Sequence, residues 1–101
     1  WFKASVMYDN PGQPMLGSSV TNCGYSDWAA MDIPAGVEEV SFKVKRLNGD
    51  YVIYYSLDGE IFKQIRVLHL INEQPEVKIG AYICSPRREG FEATLTQIEF
   101  L

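Results

Sequence analysis

The residues of this chain best suited to chemistry lie in the run Tyr25-Ser26-Asp27-Trp28. An indole or phenol face stacks on the C–H face of a sugar ring, and a neighbouring carboxylate accepts hydrogen bonds from hydroxyls. Tyr25, Asp27 and Trp28 are therefore candidate ligand-binding residues. The structural alternative is that Trp28 plugs the core and Asp27 caps a turn, since large aromatics in small sandwiches are mostly core residues. Arg87, with Arg88 in the Ser-Pro-Arg-Arg-Glu-Gly run, is a further candidate that would orient hydroxyls or clamp an anion bidentately. Against it stands the ordinary fate of surface arginine pairs, which is to be solvated.

Other chemistries find less support. Cys23 and Cys84 lie far apart without C-x-x-C spacing, and His69 is the single histidine, so a zinc site is not indicated. The cysteines are expected to be small buried hydrophobes, with a disulfide open. Ser56-x-Asp58-Gly59 carries too few carboxylates for a calcium loop and reads better as a turn. Glycoside hydrolysis needs two carboxylates about 5 to 10 Å apart. Adjacent Glu38 and Glu39 would point to opposite faces of a strand, and Glu92 and Glu99 sit far apart. His69, flanked by Leu68 and Leu70, reads as a hydrogen-bonded structural residue. No metal, cofactor or catalytic residue is expected, and a non-catalytic role is favoured over a glycoside hydrolase.

Composition narrows the partners. With 9 basic and 13 acidic residues and a net charge of −4, the chain has no positive field to attract phosphate backbones, and nucleic acid is excluded as an expected partner. It has no apolar run of membrane-spanning length and no charged-then-apolar leader, so a membrane partner is not expected and the cytoplasm is the default compartment. At 101 residues and 47% hydrophobic content, it can build one modest domain.

Strands must position the candidate residues. Phe2, Ala4, Val6 and Tyr8 alternate with Lys3, Ser5 and Met7, the period of a half-buried strand over 1–8, and Asp9-Asn10-Pro11-Gly12 closes it with turn residues. A second strand covers 15–22 and ends at a Cys23-Gly24 break; 25–31 reads as a strand or an extended loop. Val40, Phe42 and Val44 mark another strand. Asn48-Gly49 predicts a type I′ hairpin into a return strand over 51–56, and Asp58-Gly59 leads to a strand over 62–67. Val77 to Cys84 fits a central strand, and Phe91 to Leu101 alternates to the end. Roughly eight strands at spacings of about 8 to 12 residues, with no helical pattern, predict an all-β antiparallel β-sandwich.

Val20-Thr21-Asn22, then Tyr25-Ser26-Asp27-Trp28, then Tyr54-Tyr55-Ser56-Leu57-Asp58-Gly59 with Phe62 and Ile65-Arg66, then Gly80-Ala81-Tyr82-Ile83-Cys84-Ser85-Pro86 and Gly90-Phe91 form an ordered set of motifs spanning nearly the whole chain. In that order they resemble the DUF1349 family, which is similar in fold to the concanavalin A-like lectins and glucanases and includes the fungal regulation-of-enolase proteins. Phe62 stands where that family tends to carry tryptophan. The resemblance implies a concanavalin A-like jelly roll, with residues 1–101 as a single β-sandwich domain truncated on its N-terminal side: the matching part is the C-terminal half of a longer pattern. A half-sandwich would expose strand edges, so oligomerisation is an open expectation. The resemblance also implies a non-catalytic binding or regulatory module for carbohydrate. The alternative is a protein-interaction module that regulates a metabolic enzyme through a protein partner.

Overall fold

A computed structural model describes residues 1–10, 12–84 and 92–100. Among them the fold is all-β, with two three-stranded antiparallel sheets and no helix. The first sheet holds β1 (Phe2–Asn10), β2 (Gln13–Asn22) and β3 (Tyr25–Asp32) in that order, and the second β4 (Ser41–Leu47), β5 (Asp50–Ser56) and β6 (Lys63–His69). Each strand therefore pairs with its neighbour in sequence, as short turns permit.

Two of those turns need positive φ at both central residues. Asn48 and Gly49 have φ of 51° and 89°, the type I′ geometry that the Asn-Gly pair predicts. Cys23 and Gly24, with φ of 52° and 80°, connect Asn22 to its partner Tyr25 in the same manner. The break at Cys23-Gly24 is thus a tight hairpin, and the segment that follows it is a strand rather than a loop.

The sheets pack through the faces that alternation assigns. Opposite residues in an antiparallel pair share a face, so Phe2, Ala4 and Val6 lie beside Val20, Ser18 and Leu16. From the other sheet come Tyr51, Ile53 and Tyr55 of β5 and Leu68 of β6. One cluster joins Val20, Tyr51, Ile53 and Leu68; the other joins Leu16, Ile33 and Tyr55, closed by Val37 and Val40 from the β3–β4 connection. Leu16 and Ile53 are essentially sealed from water. Each such side chain stabilises the fold by roughly 1.5–3 kcal/mol relative to exposure.

Two predicted strands are not formed. Residues 77–84, expected as a central strand, and 92–100, the described part of the strand expected over 91–101, carry no ladder; Ile79, Tyr82, Leu95 and Phe100 are exposed. Alternating hydrophobicity states what a segment can bury once it has a ladder partner, and β1 through β6 pair only among themselves. β3 is exposed along its whole length and β4 along most of it. The arrangement is a partial β-sandwich with open edges. No helix among the described residues is long and apolar enough to cross a membrane.

Candidate ligand-binding site at the β2–β3 edge

The strand character of Tyr25–Asp32 sorts the candidate residues by face. Asp27 pairs with Val20, whose side chain points into the core, so Asp27 and Tyr25 face the second sheet. Trp28 pairs with Ser19 and faces outward. There its indole lies across Gly17: a Cβ added to that glycine would sit 2.1 Å from Trp28 Cη2 and 3.0 Å from Met7 Sδ. Trp28 is 50% exposed, and it neither plugs the core nor shares a surface with Asp27. Arg87 lies outside the described residues.

On the inner side, a cavity of about 370 Å³ opens at the β2–β3 hairpin. Val20 and Ile71 give it apolar walls, Tyr25 and Asp27 its polar ones, and Asn22 and Cys23 its rim. Tyr25 is 83% exposed, so its phenol ring is available to a ligand. The Asn22 side chain is committed elsewhere: its nitrogen donates to the His69 carbonyl at 2.8 Å, and its oxygen accepts from the Ile71 N–H at 2.8 Å. That one amide ties the end of β2 to the chain leaving β6 and holds the two sheets together beside the cavity.

Arg66 completes the site, and sequence reasoning missed it. Strict alternation over 63–67 would place Ile65 and Val67 inward and Arg66 outward. Instead Ile53 pairs with Arg66 while Tyr54 pairs with Gln64, leaving Ile65 as an extra residue. In a β-bulge two residues oppose one, and local facing departs from alternation. Ile65 packs on both core clusters, and Arg66 also turns inward while Val67 is exposed. Arg66 Nη1 lies 2.7 Å from Asp27 Oδ1 and donates to the hydroxyl of fully buried Ser18 at 3.4 Å. Its guanidinium holds the Asp27 carboxyl below its ordinary range, chiefly through the hydrogen bond and against a smaller opposing effect of burial. The sequence contains no marker for this bulge.

Ser56, Asp58 and His69, singled out from the sequence, have local partners. Asp58 Oδ1 accepts from the N–H groups of Glu60 (2.8 Å) and Ile61 (2.9 Å) and from the Ser56 hydroxyl (2.9 Å), while Gly59 N–H donates to Ser56 Oγ at 2.9 Å. These bonds lower the Asp58 pKa to about 2 and account for Ser56-x-Asp58-Gly59 as a turn. His69 Nδ1 sits 2.8 Å from Asp50 Oδ1 across the β5–β6 ladder, the hydrogen-bonded histidine expected. At the far side, Arg46 Nε donates to Glu73 at 2.8 Å and Arg46 Nη2 to the Gln74 carbonyl at 3.0 Å, pinning the chain after β6. The cysteines depart from expectation. Both are free and exposed rather than buried, and Cys23 has no path to the core because it occupies the tip of a tight turn.

This arrangement brings together Tyr25 and Asp27 and adds a part-buried cation to them. It can accept hydroxyl hydrogen bonds on the carboxylate and stack an aliphatic ring face on a phenol. A family model described as a protein of unknown function (DUF1349) matches residues 1–101. No curated protein and no solved structure matches the chain. With that match running from Trp1 to Leu101, the chain belongs to the DUF1349 family.

Proposed function

We propose that this chain is a non-catalytic binding module that takes a hydroxyl-rich, carbohydrate-like ligand in the cavity at the β2–β3 edge. The observation that carries the reading is the pairing of an exposed Tyr25 ring with an Asp27 carboxylate braced by Arg66, over the apolar walls of Val20 and Ile71. A sugar presents both surfaces such a site needs: C–H faces for the ring and hydroxyls for the carboxylate. With one aromatic and one charged acceptor, affinity for a single sugar unit is weak, with Kd near 1 mM, or roughly −4 kcal/mol.

The test is a ¹H–¹⁵N correlation titration with neutral mono- and oligosaccharides on the wild type, Tyr25→Ala, Asp27→Ala and Trp28→Ala. Saturable shifts at 20–27 and 71, abolished by Tyr25→Ala and Asp27→Ala but kept by Trp28→Ala, are expected. Loss of binding only with Trp28→Ala would move the site to the outer face. The absence of any response from folded protein would overturn the carbohydrate reading.

A protein-interaction module is the second reading, favoured by the uncovered Phe42 and Val44 on β4. It predicts that substitutions on β4, rather than at Tyr25, weaken capture of a partner.

A further inference from the structure

Among the residues lining the cavity, Asp27 alone carries a charge. A carboxylate beside an exposed phenol, over apolar walls, is by itself a fair receptor for a cation: the carboxylate supplies opposite charge and the ring face supplies a cation–π surface. Arg66 changes that. Its guanidinium stands 2.7 Å from Asp27 Oδ1, and its side chain is only 18% exposed while that of Asp27 is 64% exposed. Its second contact, to the buried Ser18 hydroxyl, anchors it between the sheets. The charge is permanent, because a guanidinium does not lose its proton in proteins.

We propose that Arg66 sets the charge class of ligand this cavity accepts, selecting uncharged hydroxyl donors over cationic ones. The inference rests on the binding reading above and deepens it. Asp27 has about four lone-pair positions on its two oxygens. Arg66 engages one oxygen, and the exposed remainder accepts a ligand hydroxyl with no need of further charge. An ammonium group brought to the same carboxylate meets the guanidinium beside it, so its attraction to Asp27 is offset by a like-charge contact. Arg66 is therefore a specificity-determining residue that acts through Asp27, delivered to the site by the bulge at Ile65.

The experiment compares glucose, glucosamine in its ammonium form and glucuronate by the same titration on the wild type, Arg66→Gln and Asp27→Asn. Wild type is expected to bind glucose better than glucosamine. Arg66→Gln should shift that ratio toward glucosamine by about fivefold, the worth of one exposed charge pair. Because Arg66 is largely covered and its loss can unfold the sheet pair, Asp27→Asn, at an exposed position, is the second variant. It leaves Arg66 uncompensated, so glucosamine should be excluded and glucuronate should gain. An unchanged ratio of glucose to glucosamine in folded Arg66→Gln, or no gain of glucuronate relative to glucose in Asp27→Asn, overturns the role of Arg66 while leaving the carbohydrate reading in place. If the wild type responds to none of the three sugars, both readings fall.

Discussion

Gly17→Ala isolates one contact whose sign can be worked out in advance. Gly17 lies in the middle of β2, where alanine would ordinarily stabilise by roughly 0.5–1 kcal/mol because glycine loses more chain entropy on folding. Here the added methyl carbon would stand 2.1 Å from Trp28 Cη2 and 2.6 Å from Cζ2, too close for any tolerated contact, so the indole must move. Trp28 is half covered. Complete loss of that cover would return about 100 Å² of ring to water, a ceiling near 2.5 kcal/mol at about 25 cal/mol per Å². The ring can pivot and keep part of its cover, and alanine recovers its own entropy advantage. The expected net cost is about 1–1.5 kcal/mol, or a urea midpoint lower by roughly 1 M. Denaturation of Gly17→Ala, Trp28→Ala and the double variant would measure it, with the fluorescence of Gly17→Ala shifted to the red as Trp28 becomes wetter. In the Trp28→Ala background the same change should be neutral or stabilising. An equal cost in both backgrounds would show that the indole is not what Gly17 accommodates.

Asn22→Ala should destabilise the fold by about 1–3 kcal/mol, because it removes both hydrogen bonds that join β2 to the end of β6; the urea midpoint measures it, and a loss below about 0.5 kcal/mol would contradict the clamp. Asp58 binds its proton less tightly in the folded chain, with a pKa near 2 against an ordinary 3.8. Its contribution is therefore complete above pH 3.8 and lost as pH falls through 2. Asp58→Asn should flatten that acid limb in urea melts taken at decreasing pH, and a limb of unchanged slope would assign it to other carboxylates.

Much of the fold was legible before any tertiary structure. The period-two run from Phe2 to Tyr8, the Asn48-Gly49 pair and the aromatic, β-branched run over 51–56 each carry a local steric or periodic signal, and each appears where that signal places it. Half of the candidate site was legible too. Tyr25 and Asp27 were identifiable from their chemistry, and once 25–32 is a strand, Trp28 must turn to the other face. Arg66 was hidden because a bulge is an event between two strands: the residues 63–67 are compatible with simple alternation, and only the pairing with β5 makes Ile65 the extra one. The 77–84 segment failed in the opposite direction. Its composition suits a central strand, yet a strand exists only when another strand completes its hydrogen bonds.

The sequence by itself determined the class of structure, the positions of the tight turns and the residue types available for binding, since these follow from backbone sterics and side-chain chemistry within a few neighbouring residues. The tertiary structure decided which candidates share a surface, where Arg66 points and which apolar segments find a ladder, because each of those depends on a partner strand distant in sequence.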